Sequence, residues 1–451
     1  MVAVARPGAG TPRAYRFPAF TSGTLDNGAR LIVCPVRKLP IATLVALTSS
    51  GAATDPEDIE GTARLTAKML VEGTAVHSGT ELSEKLEKLG TSLETGADWD
   101  SSIARITFLT EHIDEVIDVL GEVLLEPTFP ERELQRLKSE RIADLLQVES
   151  EPRALADEAF ESFLYTPDSR FAIQDGGSTS SIARIGRSNI VAYHSAAYVP
   201  AATTFIVAGD VSFDQMREKL SRRFGAQLQT GVRTALRRNA IASASRRVRL
   251  LEKRDAPQSE LRVGHGGLPR NDPDYFPTVV MNAILGGLFG SRVNLNLREA
   301  HGYTYGASSY FDWRIDAGPF VVSTAVATEV TAAALKEILF EIERIRESEV
   351  DPLELSLAKD YLDGVFPIRY ETTAAVSAAL ANAVVYDLPS DYYETYRANI
   401  QAVTAEQVLS AARRHLRPEA LQTMIVGNVS AIREAVGALG LGTMEISESG
   451  R

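Results

Sequence analysis

The residues able to ligate a metal are scattered along this chain. Its six histidines are His77, His112, His194, His265, His301 and His415. No two of them are close enough to form a His-x-x-x-His or Glu-x-x-His pattern, and zinc sites favour clustered ligands. Cys34 is the only cysteine, so it has no internal disulfide partner. Two other stretches carry chemistry of a different kind. In Gly61-Thr62-Ala63-Arg64-Leu65-Thr66-Ala67-Lys68-Met69-Leu70-Val71-Glu72-Gly73-Thr74, Arg64 and Lys68 stand at i and i+4, on one face of a helix. A guanidinium and an ammonium placed there repel a dication, and Ala67 beside Lys68 has no atom that could take a proton from water. In Ile284-Leu285-Gly286-Gly287-Leu288-Phe289-Gly290-Ser291-Arg292-Val293, followed by Asn296-Leu297-Arg298-Glu299-Ala300-His301-Gly302-Tyr303-Thr304-Tyr305, a guanidinium and phenols are available as donors to an anionic oxygen or a peptide backbone. The short runs Gly264-His265-Gly266-Gly267 and Gly286-Gly287 lack the strand–Gly-x-Gly-x-x-Gly–helix setting of a nucleotide site and read as turns.

The elements that position these residues come from one unit used twice. Met424-Ile425-Val426-Gly427-Asn428-Val429-Ser430 repeats Ile206-Val207-Ala208-Gly209-Asp210-Val211-Ser212 at an offset of 218, and Pro418 repeats Pro200 at the same offset. Asp351-Pro352-Leu353-Glu354-Leu355 repeats Pro130-Glu131-Arg132-Glu133-Leu134 at an offset of 221. A period this long is domain duplication, not a solenoid. Ser78 with Glu81, and Thr404 with Gln407, read as capping boxes opening helices. Ile113, Val116, Ile117, Leu120 and Leu124 line one helix face. Leu31–Val36, Ala42–Leu47 and Ile103–Leu109 read as strands. Strands cluster and helices follow in runs. The expectation is therefore α+β, with two homologous domains, each a mostly antiparallel sheet covered by helices. The expected boundaries are residues 1–228, a linker over 229–245, and residues 246–451.

The Gly61–Thr74 stretch resembles the metal-site helix of the pitrilysin/insulinase (inverted zinc) metallopeptidases, in which His-x-x-Glu-His lies between the Gly-x-Ala start and the Gly-Thr end. The frame is present as Gly61, Ala63, Met69, Gly73 and Thr74. Arg64 and Lys68 stand where the histidines belong, Ala67 stands where the glutamate belongs, and the third ligand falls near Asp144. Whether Lys68 and Asp144 pair instead is left open. The Leu285–Tyr305 stretch resembles the segment of the family's second half whose Arg and Tyr reach the substrate bound at the zinc of the other half. By that match these roles fall on Arg298 and Tyr305, and His301 is a bystander. The resemblance covers about residues 20–440 and implies a clamshell of the two domains. The long glycine-rich substrate loop of the mitochondrial processing peptidase's non-catalytic subunit has no counterpart, so presequence recognition is not implied.

Composition narrows the function classes. The chain has 451 residues, 45% of them hydrophobic and 24% charged, which is a globular balance. A net charge of −12 argues against general nucleic-acid binding. The basic stretch 233–254 (Arg233, Arg237, Arg238, Arg246, Arg247, Arg249, Lys253 and Arg254 against Glu252) reads as a solvated linker or as a surface for an acidic partner. No segment reads as a membrane span, and Met1–Pro12 has no apolar run of the signal-peptide kind. The cytoplasm is the expected compartment in preference to the periplasm. Together with the resemblance, these readings imply a non-catalytic subunit of a heteromeric, bacterial type of peptidase. The chain itself is expected to hold no cofactor, and zinc is expected in a homologous partner subunit of a heterodimer that acts on peptides. The alternatives are an inactive peptide-binding or scaffold subunit, and an active chain with an unconventional metal site.

Overall fold

The computed structural model describes residues 14–226 and 239–448. Its strands form two six-stranded sheets. The first is built from β1 (Thr21–Thr24), β2 (Arg30–Pro35), β3 (Ile41–Thr48), β4 (Leu93–Ala97), β5 (Ser102–Leu109) and β6 (Thr203–Gly209), in the order β1-β2-β6-β3-β5-β4. The second is built from β7 (Arg247–Glu252), β8 (Gln258–Gly266), β9 (Ala307–Phe311), β10 (Pro319–Ala327), β11 (Gln422–Gly427) and β12 (Thr443–Glu448), in the order β12-β7-β11-β8-β10-β9. Both sheets are mostly antiparallel; the parallel pairs are β2–β6, β7–β11 and β7–β12. Five strands of the two orders correspond, β2-β6-β3-β5-β4 with β7-β11-β8-β10-β9, as the internal repeat demands; the edge strands differ, β1 opening its half antiparallel to β2 and β12 closing its half parallel to β7. The repeated apolar runs become β6 and β11, and Pro200 and Pro418 each open the short 3-10 turn that leads into them. The fold is α+β, as expected.

The central strands of each sheet are buried on both faces, and the second cover is exchanged between the halves. Leu31, Val33, Leu44 and Ile106 face helices of their own half. Ile32, Cys34, Val45, Leu47, Ile206 and Ala208, on the opposite face, pack with Val376, Ala379 and Leu380 of helix Thr373–Val385, which belongs to the other half. Thr43 and Thr373 share a hydroxyl hydrogen bond of 2.9 Å across this contact. The repeat-equivalent helix, Pro152–Leu164, sends Leu155, Phe160 and Phe163 onto Leu251, Val321, Met424 and Val426 of the second sheet. Two covered faces explain why β2 and β6 read as unbroken apolar runs instead of alternating.

Only the second part of the basic stretch is described. Arg233, Arg237 and Arg238, and most of the expected linker, lie outside the described residues. From Arg247 onward the chain is strand β7, and its charges are engaged internally. Arg246 pairs with Glu343 at 3.1 Å, Arg249 pairs with Glu445 at 2.9 Å, and the Arg247 guanidinium lies 4.2 Å from the Phe163 ring. The run Tyr275–Ala300 is apolar and long enough to cross a membrane by length and composition, and half of its most apolar window is buried. It is not one continuous α-helix: Leu288 is extended, with π-turns on either side. It is a core element that carries the second chemical segment.

Candidate functional site

The helix that the sequence resemblance reads as a degenerate metal site spans Thr62–Met69. Its N-cap, Gly61, has φ of +96° and no side chain to offer. A Cβ there would lie 2.6 Å from Ile182 and 2.9 Å from the Gly176 carbonyl, so glycine is required by both conformation and space. The buried carboxylate of Asp55 takes over the cap. It accepts the Gly61 N–H at 2.7 Å and the Ala63 N–H at 2.8 Å, and the fully buried Arg170 donates to it at 3.0 Å. A paired anion at a helix N-terminus is doubly favourable there, since it meets unsatisfied N–H groups and the positive end of the dipole.

On this helix Arg64 does not wait for a ligand. Its Nη1 donates to both oxygens of Asp175, at 2.9 and 3.0 Å. Arg141, on helix Glu131–Ser150, donates its Nε to the Gly176 carbonyl at 3.1 Å. Burial lowers the Arg141 pKa, and the nearby positive charge of Arg64 pushes in the same direction, against Asp175, Asp144 and Glu158. The pairing of Lys68 with Asp144 that the sequence left open does not form: no ion pair within 4.0 Å joins them among the described residues. Asp144 is exposed, and it is among the carboxylates that offset Arg141. Ala67 is fully buried and inert. These residues do not fit a divalent metal. Two guanidiniums and an ammonium line the place, and the carboxylate nearest to them is already committed to Arg64. A separate trio, Asp272, Asp274 and His415, has its ligand atoms within 4.8 Å of one another, but Asp274 is tied to both Arg414 and His415.

The second segment is held by Asn294. This buried side chain donates to the Phe289 carbonyl at 2.6 Å and accepts the Ala307 N–H at 3.0 Å, fixing the turn after Gly286-Gly287 to the start of β9. Arg298 stands on the π-turn Leu295–Ala300, with its guanidinium 4.6 Å from the ring of Phe289 and its Nε 3.4 Å from Glu299. Gly302, with φ of +67°, reverses the chain. Thr304 is anchored by Thr324 at 3.0 Å, and the neighbouring Tyr305 side chain is left 93% exposed just before β9. His301 stacks on Tyr303 and lies 3.8 Å from Glu337, apart from any other metal-ligating group. Arg64 and Lys68 form no hydrogen bond or ion pair with Arg298 or Tyr305 among the described residues. Sequence reasoning missed Asp55, Asp175, Asn294 and Phe289. Only Phe289, an aromatic inside a glycine turn, gave a local signal.

Comparison with known proteins identifies the family and the fold. The family model described as insulinase (peptidase family M16) matches residues 39–169, and the one described as the peptidase M16 inactive domain matches residues 184–362. An uncharacterized zinc protease, YmxG, of Bacillus subtilis is 22% identical over 78% of this chain and 84% of its own length. A non-peptidase homolog, YmxG, of Helicobacter pylori is 25% identical over 85% of this chain and 88% of its own. The crystal structure of a peptidase M16 inactive domain from Pseudomonas fluorescens superposes with a TM-score of 0.85 at 26% identity, covering 91% of this chain and 98% of that one. The chain, with its two sheets and its helix frame stripped of ligands, belongs to the M16 (insulinase) peptidase family.

Proposed function

We propose that this chain is the non-catalytic subunit of a heteromeric zinc metallopeptidase that cleaves peptides. The observation that carries the reading is the contrast between its two segments. Arg64 on the first helix is paired with Asp175, while in the second segment Tyr305 stands exposed seven residues after Arg298, whose guanidinium lies over Phe289. A homologous partner supplies the zinc. Arg298 and Tyr305 reach the peptide bound there. In the tetrahedral intermediate the former carbonyl oxygen carries negative charge, and a phenol O–H with a fixed guanidinium holds that charge and the adjacent backbone. Stacking on Phe289 limits the rotamers of Arg298, so less entropy is lost on binding.

The test is reconstitution. The chain alone cleaves no peptide, and mixing it with a zinc-bearing M16 homologue from the same genome yields cleavage. In the complex, Arg298→Ala or Tyr305→Phe each lowers the rate by about 10²–10³, the usual effect of removing one such donor. Rates unchanged by both substitutions would remove these residues from the chemistry. The name of the Helicobacter pylori relative favours a second reading, an inactive peptide-holding or scaffold subunit. Peptide binding without turnover in every complex would select it.

A further inference from the structure

Helix Pro152–Leu164 covers only part of the second sheet's face, and where it starts the sheet surface is open. A cleft of about 220 Å³ remains there, with Arg153 on one side and Tyr305 on the other. Its floor is the uncovered face of β8, β10 and β9, on which Ser323 lies directly opposite Ser308 in the register. This is too small for a drug-sized ligand, whose pockets run from about 300 Å³ upward, and about right for one side chain or chain end.

The hydrogen-bonding inventory of the cleft is one-sided. The carboxylates at its edge are already taken: the buried Arg262 donates to Glu260 at 3.0 Å and to Asp157 at 2.5 Å. The groups left without a protein partner among the described residues are the Arg153 guanidinium, the Tyr305 phenol, the Ser308 and Ser323 hydroxyls and the Gln258 amide. All of them can donate. Arg153 adds a positive charge that forms no ion pair among the described residues, near the Glu260 carboxylate that Arg262 holds, and as the second residue of its helix it sits at the positive end of the dipole. A set of free donors with one exposed cation is complementary to a carboxylate.

We propose that the cleft between Arg153 and Tyr305 is a subsite for a carboxylate of the bound peptide, either an acidic side chain or the free C-terminus. The proposal rests on the reading of Tyr305 as a peptide-contacting residue. It adds a sequence preference that the chemistry at Arg298 and Tyr305 alone does not supply.

The experiment measures fluorescence anisotropy of the full chain with three fluorescein-labelled ten-residue Gly/Ser/Ala probes. One has a central Glu and an amidated C-terminus, one a central Gln and an amidated C-terminus, and one a central Gln and a free C-terminus. The expected result is that one of the two carboxylate probes binds about tenfold tighter than the amidated Gln probe, identifying the source of the carboxylate. Arg153→Gln erases that difference without weakening the amidated Gln probe, and Arg153→Lys restores part of it. Arg153 is exposed, so the thermal midpoint of the Gln variant matches wild type. Equal binding of all three probes, or a difference that survives Arg153→Gln, overturns the subsite while leaving the peptide-binding reading standing. No binding by any probe overturns both.

Discussion

Arg64 and Asp175 are 111 residues apart in sequence, yet one guanidinium nitrogen meets both carboxylate oxygens across the face where the family's metal ligands project. The ion pair closes the helix face that the sequence resemblance reads as a degenerate metal site. The side chain of Arg64 is 40% exposed, so solvent screens the pair and its contribution to stability is small. Asp175→Asn is expected to shift the unfolding free energy by less than about 1 kcal/mol in a denaturant titration. The variant is also expected to gain no zinc in metal analysis, because Arg64, Lys68 and Arg141 still repel it.

Asp55 and Arg170 behave differently because both side chains are fully buried. Asp55→Ala leaves Arg170 without its anion and the helix without its cap. A loss of about 3–5 kcal/mol is expected from denaturant unfolding, several times the Asp175 effect.

The exchanged helices make the two halves one cooperative unit. Leu380 is 1% exposed against Ile206 and the other residues of the first sheet's inner face, although it belongs to the second half. Leu380→Ala should destabilise by about 2–5 kcal/mol. Tryptophan fluorescence and far-UV circular dichroism should still report a single coincident transition. Two separated transitions would show that the halves fold independently.

The contact between the halves also carries a pH dependence. Asp100, in the β4–β5 turn, accepts the Ile315 N–H from the second half at 2.9 Å. Burial pushes its carboxyl up to about 7, with Asp98 and Asp312 adding to the rise and Ile315 and Arg314 opposing it. The folded state therefore holds a proton that the unfolded state releases near pH 4, and this group's contribution to stability falls as pH rises from about 4 through 7. Asp100→Asn keeps an acceptor for Ile315 and should flatten that part of the stability–pH curve. A slope unchanged by the substitution would assign the dependence to other groups.

What was readable in the sequence follows the range of the interaction. Ser78–Glu81 and Thr404–Gln407 form their capping boxes because each is decided within four residues. The repeat was visible because β6 and β11 are buried on both faces and so carry the same dense apolar code. The exchange of Pro152–Leu164 and Thr373–Val385 was not visible, since an apolar helix face does not state which sheet it covers. Arg64 and Lys68 were identifiable as cations in place of ligands, but their partners were not. Asp175 lies in a loop with no motif of its own, and Asp144 is exposed, acting on Arg141 only through its charge. Likewise Arg298 and Tyr305 were singled out from the sequence, while Asn294, which ties Phe289 to Ala307 within the same segment, is an ordinary polar residue until the two close around it.

The most direct test is the zinc content and peptidase activity of the purified chain, alone and then mixed with its zinc-bearing homologue. The expected result is no retained zinc and no cleavage alone, with cleavage appearing on mixing and depending on Arg298 and Tyr305. About one tightly held zinc per chain, with cleavage by the chain alone, would contradict it.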